Sequence, residues 1–260
     1  MDAAPYYLER PSRPRLAYRH APGAGPTILF LPGYMSDMAG GKATALFDWA
    51  VTEGQACLLL DYAGCGLSDG LFADQTLLDW RGDVLDLIDA KIEGPVVIVG
   101  SSMGGWLMLL TALALVQRDG ASRVAGLVGI AAAPDFTGWG FTDTEKAIIL
   151  AEGALVEETP YSDQPYVTTR GFFQSGEANR LLDAAIPLAC PVRLLHGQED
   201  GDVPPKISLR LSAALASADV QVTLVKGGDH RLSRDTDIAL LIDTVARIAT
   251  NDTVARIATN

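Results

Sequence analysis

A small-residue motif marks the serine best placed to act as a nucleophile. Residues 100–104 read Gly-Ser-Ser-Met-Gly and match the pattern G-x-S-x-G. Between a strand and a helix, this pattern places a serine hydroxyl on a sharp, strained turn, and here an apolar run precedes it and a helical pattern follows it. The residues two before and two after the nucleophile crowd each other and must be small. Ser102 has glycine at both positions, whereas Ser101 has valine and methionine, so Ser102 is the candidate nucleophile.

A serine hydroxyl needs an adjacent base to become a good nucleophile, and the chain has three histidines. His230 follows the last predicted strand in a glycine-rich loop, at the strand end where open α/β sheets place their sites. His196 also ends a strand, where an ordinary structural role explains it equally well. His20 lies among arginine and proline residues and is expected at the surface. His230 is therefore the candidate base.

The carboxylate that would orient the base is expected within residues 196–204, which read His-Gly-Gln-Glu-Asp-Gly-Asp-Val-Pro. This segment offers Asp200, with Asp202 and Glu199 as alternatives. The resulting chain order of serine, aspartate and histidine differs from the orders found in chymotrypsin and subtilisin.

Two backbone N–H groups are candidates for an oxyanion hole, a pair of donors that stabilises negative charge on a reacting oxygen. The residue after the nucleophile supplies one donor, which indicates Met103. The loop after an early strand supplies the other, and the sequence Leu-Pro-Gly-Tyr over 31–34 indicates Tyr34. Each such donor is worth about 2.7–4 kcal/mol in the transition state.

Short apolar runs alternate with longer helical patterns along the chain. Continuous apolar runs without alternation are typical of parallel strands buried on both faces. The pieces near Tyr7 and over 16–19 predict an antiparallel edge. We therefore expect a mostly parallel, twisted sheet with helices on both faces. Strands are predicted over 27–31, 56–60, 95–99, 124–130, 192–195 and 220–225, and helices over 76–92, 106–116, 207–216 and 237–250, with an earlier helix ending near Val51.

One connection, residues 135–188, is too long for a simple crossover and predicts a cap inserted into a core of residues 1–134 and 189–251. Helical patterns cover 144–152 and 176–182 within it. Met35 and Met38, after the Tyr34 loop, are expected to line an apolar pocket beneath the cap. Seven aromatic residues of the cap could build its own small core, line that pocket, or do both: Phe136, Trp139, Phe141, Tyr161, Tyr166, Phe172 and Phe173.

Composition excludes several classes of partner. The formal net charge is −12, and because such a chain repels phosphate backbones, nucleic acid is not an expected partner. The three cysteines form an odd, sparse set without metal-ligand spacing, so we expect no metal and no cofactor. Residues 94–117 carry no charge, but their internal Gly-Ser-rich turn predicts a strand and a buried helix rather than a transmembrane segment. No secretory signal or transit peptide is visible, and the expected location is cytoplasmic.

The C-terminus contains a perfect duplication, since residues 243–251 recur as 252–260. Nine residues on a helix give a net rotation of about half a turn. The apolar residues of the second copy would therefore face away from those of the first. We predict that 252–260 is a peripheral tail without a catalytic role.

Together these motifs resemble the α/β-hydrolase superfamily, and within it the mitochondrial acyl-glucuronide esterase and palmitoyl-protein thioesterase family. The likeness covers roughly residues 9 to 250. The segments that carry it are Phe-Leu-Pro-Gly-Tyr over 30–34, Asp-Tyr-Ala-Gly-Cys-Gly-Leu-Ser over 61–68, Gly-Ser-Ser-Met-Gly-Gly-Trp-Leu-Met over 100–108, Arg-Leu-Leu-His-Gly over 193–197 and Asp-His-Arg over 229–231.

The resemblance implies a serine hydrolase with a triad of Ser102, Asp200 and His230, in which the Asp200 position and not Asp202 carries the acid. It also implies small-molecule acyl esters or acylated substrates, including thioesters. Carbon–carbon bond hydrolysis, peptidase action and acyl transfer share the fold. A non-catalytic binding protein is the alternative from another class.

Overall fold

A computed structural model of the chain describes residues 4–159 and 165–250. The fold is a large mixed sheet with helices on both faces and a separate hairpin. The strands are β1 (Tyr6–Leu8), β2 (Leu16–Ala21), β3 (Ala24–Leu31), β4 (Gln55–Leu60), β5 (Val96–Ser101), β6 (Val124–Ile130), β7 (Ala154–Glu157), β8 (Tyr166–Thr169), β9 (Val192–Gly197) and β10 (Val220–Val225). The helices are α1 (Gly41–Glu53), α2 (Leu77–Lys91), α3 (Met103–Asp119), α4 (Phe136–Trp139), α5 (Asp143–Glu152), α6 (Arg170–Glu177), α7 (Lys206–Ala214) and α8 (Asp235–Ala249).

The sheet has the strand order β1-β2-β4-β3-β5-β6-β9-β10. From β4 to β10 in this order, all neighbouring strands run parallel to each other. Strand β2 pairs antiparallel with β4, and β1 pairs antiparallel with β2. The predicted α/β architecture with an antiparallel edge is therefore confirmed.

Both faces of the central strands are buried, which explains their unbroken apolar sequences. In β3, Leu29 and Leu31 pack with residues of α2, α3 and α7. Ile28 and Phe30 point to the other face and pack with α1 and α8. Because successive side chains of a strand alternate between faces, a strand covered on both sides needs apolar residues at every position.

Helix α2 begins where the sequence predicts. The hydroxyl of Thr76 accepts the N–H of Asp79, and the Asp79 carboxylate accepts the N–H of Thr76 at 2.9 Å. This capping box satisfies two backbone donors that the helix itself leaves unpaired.

The uncharged stretch over 94–117 folds as β5, a turn and most of α3, in agreement with the prediction. Trp106, Leu107 and Met108 of α3 are fully buried in the protein interior. Among residues 4–159 and 165–250, no helix combines the length and apolar character needed to cross a bilayer.

The predicted cap contains α4, α5, the β7–β8 hairpin and α6, and its division from the core stays a prediction. Helix α5 lies close to the predicted position, but the helix predicted over 176–182 is wrong. Helix α6 ends at Glu177, and the chain after it is held by the Asp135 carboxylate, which accepts the N–H groups of Leu181 and Leu182 at 2.8 and 2.7 Å. The duplicated tail, 252–260, lies outside the described residues.

Candidate active site

Ser102 occupies a strained backbone turn between β5 and α3. Its φ and ψ angles are 53° and −119°, a region that L-residues rarely adopt. The N–H of Ser102 donates to the carbonyl of Ile130 at 2.9 Å, and its carbonyl accepts from Gly105 at 2.8 Å and Ala133 at 3.0 Å. The neighbouring strand and the following helix therefore hold this conformation in place.

The two glycines of the motif are required by close backbone contacts. A Cβ atom on Gly100 would collide with the backbone of Gly104. A Cβ atom on Gly104 would collide with the carbonyl oxygens of Leu31 and Pro32. The same crowding brings the loop after β3 against the serine turn.

The structure brings Ser102, His230 and Asp200 into one hydrogen-bonded chain. His230 Nε2 lies 3.1 Å from Ser102 Oγ, and His230 Nδ1 lies 2.9 Å from Asp200 Oδ2. The three residues follow β5, β10 and β9, respectively, so all stand at the carboxyl end of the sheet. These distances are within the reach expected of a nucleophile, a base and an orienting group.

The Asp200 carboxylate is buried but well supplied with donors. Its Oδ1 accepts the N–H groups of Asp202 at 2.9 Å and Val203 at 2.8 Å. Burial by itself raises the pKa of Asp200, but hydrogen bonds from His196, His230 and Val203 outweigh it and hold the pKa well below the ordinary value. Asp200 is therefore ionised at neutral pH and accepts the Nδ1 proton of His230.

The other sequence candidates take different positions. Asp202 and Glu199 are exposed, and Asp202 touches Asp200 through its backbone N–H. His20 lies in β2, three strands from β5 in the sheet. Asp200 is the carboxylate that hydrogen-bonds to His230, while a carboxylate oxygen of Asp202 lies within 4.8 Å of both partners.

The predicted oxyanion donors lie beside the serine. Met103 is the first residue of α3, where backbone N–H groups have no partner within the helix. Tyr34 lies in the turn after β3, and a Cβ atom on the preceding Gly33 would lie 3.4 Å from Ser102 Cβ. Both residues line the same cavity as Ser102 and His230. Their role as donors stays a prediction.

The Tyr34 side chain connects the core to the cap, a contact that the sequence analysis missed. Its hydroxyl donates to the carbonyl of Val167 in β8 at 2.7 Å. Its ring contacts Phe72 and Phe172 at centroid distances of 5.2 and 4.9 Å. Burial raises the pKa of Tyr34 well above its ordinary value, so the hydroxyl remains a donor.

A cavity of about 450 Å³ opens above Ser102, within the usual range for small-molecule sites. Both interpretations of the cap aromatics hold, because some line the cavity and others are buried in the cap. Phe172 and Phe173 are buried, and Tyr161 lies outside the described residues. The apolar walls come from Met35, Met103, Phe136, Trp139, Phe141 and Tyr166.

The expectation for Met38 is wrong. Met38 is 1% exposed and packs in the core against the face covered by α1 and α8. Its N–H donates to the buried Asp61 carboxylate at 2.7 Å, and Met38 is not among the residues that line the cavity. Met103 provides a methionine wall in its place.

Charged groups also line the cavity. Lys42, at the start of α1, donates to the carbonyl of Arg231, and burial together with the Arg231 charge lowers the pKa of Lys42 to about 8. On the cap side, Glu157 in β7 faces the cavity, and burial with the nearby Glu145 charge raises its pKa. The cavity is thus lined mainly by apolar side chains, with charged groups at a few positions.

Asp200, Asp202 and His230 each place one potential ligand atom within 4.8 Å of the others. Both oxygens of Asp200 and both ring nitrogens of His230 already have hydrogen-bond partners. We therefore interpret the group as a hydrogen-bond network and identify no metal ligands in it.

His196, which the sequence analysis left as an ordinary strand-end residue, also contacts Asp200. It is fully buried, and its Nε2 lies 3.2 Å from Asp200 Oδ2. The spacing His-Gly-x-x-Asp is the signal in the sequence, since residues four apart across a tight turn can meet.

Comparisons with known proteins agree with this geometry. A model of the alpha/beta hydrolase family matches residues 28–254. The human protein named palmitoyl-protein thioesterase ABHD10, mitochondrial, is 40% identical over 243 residues, which are 92% of this chain and 78% of that protein.

Two solved structures are similar over nearly the whole chain. Alpha/beta hydrolase domain-containing protein 10 from mouse has a TM-score of 0.86 and 37% identity, covering 98% of this chain and 100% of that one. A protein from Agrobacterium vitis S4 has a TM-score of 0.88 and 36% identity, covering 95% and 98%. The resemblance seen in the sequence motifs is confirmed, and the chain belongs to the alpha/beta hydrolase family.

Proposed function

We propose that the protein is a serine hydrolase that cleaves acyl esters and acyl thioesters through a covalent acyl-enzyme. The observation that carries this proposal is the position of His230, which bridges Ser102 and Asp200 at the base of an apolar-walled cavity. A base within hydrogen-bond reach of a serine, itself oriented by a carboxylate, is the arrangement that activates a hydroxyl for acyl transfer.

In the acylation step, Ser102 Oγ forms a bond to the acyl carbonyl carbon while His230 Nε2 takes the hydroxyl proton. The carbonyl oxygen becomes an oxyanion, which the N–H groups of Tyr34 and Met103 stabilise. The bond to the leaving oxygen or sulfur then breaks, and His230 returns the proton to that atom. The ionised Asp200 stabilises the imidazolium during this step.

Water completes the cycle. His230 Nε2 takes a proton from a water molecule, whose oxygen attacks the acyl carbon, and the bond to Ser102 Oγ breaks as the serine regains its proton. The products are a carboxylic acid and free enzyme.

Activity on thioesters is supported by the relatives, which are named palmitoyl-protein thioesterases. In the proposed mechanism the leaving group contributes little to the acyl pocket, so esters and thioesters of the same acyl group should both react. Peptide amides should react far more slowly, because no peptide-binding edge is recognised in the sequence motifs or among the described residues that line the cavity.

The cavity supports a preference for short or medium acyl chains. Each methylene that the apolar walls bury adds about 0.8 kcal/mol to binding until the space is filled. We therefore expect kcat/KM to rise from acetyl to a short or medium chain and then to level off or fall.

A panel of oxygen esters and thioesters of increasing acyl length tests this proposal. Wild type and Ser101→Ala should turn over both series, whereas Ser102→Ala should be inactive on both. Inactivity of wild type on every member would contradict the proposed function. Acetyl esters as the best substrates, with steady decline from propionyl upward, would contradict the acyl pocket alone.

For the cellular location we retain the cytoplasmic prediction. Its support is chemical, since Cys57, Cys65 and Cys190 are free thiols, as expected in a reducing compartment. The named relatives are mitochondrial. Fractionation of the source cells decides the point: recovery with cytoplasmic markers is expected, and recovery in an organelle or exported fraction would contradict it.

A further inference from the structure

A second histidine stands behind the Asp200 carboxylate, on the side away from the cavity. His196 is the penultimate residue of β9 and has no exposed surface. Its Nε2 lies 2.8 Å from the carbonyl of Val203 and 3.2 Å from Asp200 Oδ2. Its Nδ1 lies 2.7 Å from the hydroxyl oxygen of Ser208, a fully buried residue of α7.

These contacts determine which nitrogen of His196 carries the proton. Both partners of Nε2, a carbonyl and a carboxylate, can only accept hydrogen bonds, so Nε2 must be the protonated nitrogen. In the neutral ring Nδ1 is the acceptor, and the Ser208 hydroxyl donates to it. A neutral imidazole satisfies all of these bonds at once.

The same contacts close a ring around the carboxylate. The N–H of Val203 donates to Asp200 Oδ1, while the Val203 carbonyl accepts from His196. His196 thus holds both the carboxylate and the turn that presents it. The backbone is also tightly packed here, because a Cβ atom on Gly197 would collide with the backbone of Gly228, two residues before His230.

We propose that His196, oriented by Ser208, is a positioning residue that fixes Asp200 against His230. This inference rests on the proposed function, because it assigns His196 to the hydrogen-bonded chain that ends at Ser102. His196 does not line the described cavity, so it acts through Asp200 and not on the substrate.

An apolar residue of the same shape would not replace it. Phenylalanine at position 196 would leave the Val203 carbonyl, the Ser208 hydroxyl and one acceptor site of Asp200 without these partners. Glutamine, in contrast, can place an N–H group near the position of Nε2. The two substitutions therefore separate loss of the ring from loss of the donor.

The kinetic test compares His196→Phe, His196→Gln and Ser208→Ala with wild type. For His196→Phe we expect kcat to fall about 10- to 100-fold, the range for a hydrogen bond to a charged group, with KM nearly unchanged. His196→Gln should recover much of this loss, and Ser208→Ala should show a smaller loss in kcat.

The pH profile gives a readout that a purely structural role would not change. Without the His196 donor, the Asp200 charge acts more strongly on His230 and favours its protonated form. The acid limb of kcat/KM should therefore move to higher pH in His196→Phe and stay near wild type in His196→Gln. The other charged groups near His230, namely Asp202, Asp229, Arg231 and Lys42, are the same in all variants.

Arg193→Met is the matched structural control. Arg193 lies on the same strand and is buried in an ion pair with Asp219 at 2.8 Å, away from the serine. It should lower the melting temperature without moving the acid limb. Equal kcat and equal pH profiles in wild type and a folded His196→Phe would overturn the proposal.

A nitrogen-15 spectrum of histidine-labelled protein tests the network without any turnover. The chain has three histidines, so single substitutions assign every ring. His196 should carry its proton on Nε2 and none on Nδ1, and Ser208→Ala should shift its Nδ1 signal. A proton on His196 Nδ1 would overturn the proposal even if His196→Phe does not fold. If wild type hydrolyses no substrate, in contrast, only the proposed function is contradicted.

Discussion

The serine turn and the cap above it are held together by different kinds of contact. At the turn, backbone atoms touch backbone atoms: the N–H of Ser102 bonds Ile130, and Gly104 packs against the chain after β3. In the cap, side-chain groups add to the backbone pairing of β7 with β8, as Asp135 does for the chain after α6. Backbone contacts tolerate almost no substitution, whereas side-chain contacts can be exchanged. The turn is therefore suited to fixing chemistry, and the cap to setting selectivity.

Tyr34 belongs to both regions. Its backbone lies in the turn beside Ser102, and its hydroxyl reaches the β8 strand of the cap. A shift of the β7–β8 hairpin can therefore move the predicted oxyanion donor, the backbone N–H of Tyr34, through this one residue.

The largest expected effect lies at the carboxyl end of the sheet, where Asp200 follows β9. Asp200→Asn should lower kcat by about 10⁴-fold, because the neutral side chain no longer fixes the tautomer of its histidine partner. Asp202→Asn is the control and should lose much less, since Asp202 reaches Asp200 through its backbone N–H. Steady-state kinetics on one preferred ester measure both. Equal losses in the two variants would contradict the assignment of the acid.

Substitution in the cap should change selectivity and leave the chemistry intact. Trp139→Ala removes one apolar wall and should lower kcat/KM about tenfold for the longest good substrate, as loss of roughly 1.5 kcal/mol of apolar contact implies, with little change for acetyl esters. Trp139→Phe keeps a ring at the wall, although it loses the bond from Trp139 Nε1 to the Pro134 carbonyl, and should keep the chain-length profile. A uniform loss on all substrates in Trp139→Ala would mean that the cap also acts on the chemical step.

The pKa of Asp200 predicts that the stability of the protein depends on pH. Because its folded pKa is below the ordinary value of 3.8, ionised Asp200 contributes stability that is fully present above that value. This contribution is lost as the pH falls toward the folded pKa. Below about pH 4, the melting temperature of wild type should therefore fall more steeply than that of Asp200→Asn. Parallel curves would contradict the assignment.

The smallest effect is expected at the start of α6. The hydroxyl of Thr169 accepts the N–H of Phe172 at 3.2 Å, and Thr169→Ala should cost about 1 kcal/mol of stability. Thermal unfolding measures this loss. Thr76→Ala, at the corresponding position of α2, is the matched variant in the core and should cost a similar amount. Neither variant should change the kinetics on acetyl esters.

The sheet and the serine turn were predictable because each residue there has few alternatives. Strands buried on both faces need unbroken apolar runs, and the crowded turn needs Gly100 and Gly104. His230 was identified because a histidine in a glycine-rich loop has few structural explanations. The structure places these residues together, while their catalytic roles remain predictions.

The failures have physical reasons as well. The apolar residues over 176–182 suggested a helix, but the Asp135 carboxylate captures the backbone N–H groups that would have continued it. Met38 lies three residues beyond Met35, yet the Asp61 carboxylate binds its N–H and turns it into the core. The spacing His-Gly-x-x-Asp indicates the contact of His196 with Asp200, but its other partners, Val203 and Ser208, become neighbours only when the turn after β9 and α7 have folded. Local sequence patterns do not determine contacts between side chains that are distant in the chain.

The most direct test of the central claim is the identity of the nucleophilic residue. Purified protein is treated with a fluorophosphonate, digested and mapped by mass spectrometry, with Ser102→Ala and Ser101→Ala as matched variants. We expect a single adduct on Ser102 in wild type and Ser101→Ala, and no adduct in Ser102→Ala. An adduct on Ser101, or a folded, hydrolytically active wild type that carries no adduct, would contradict the account.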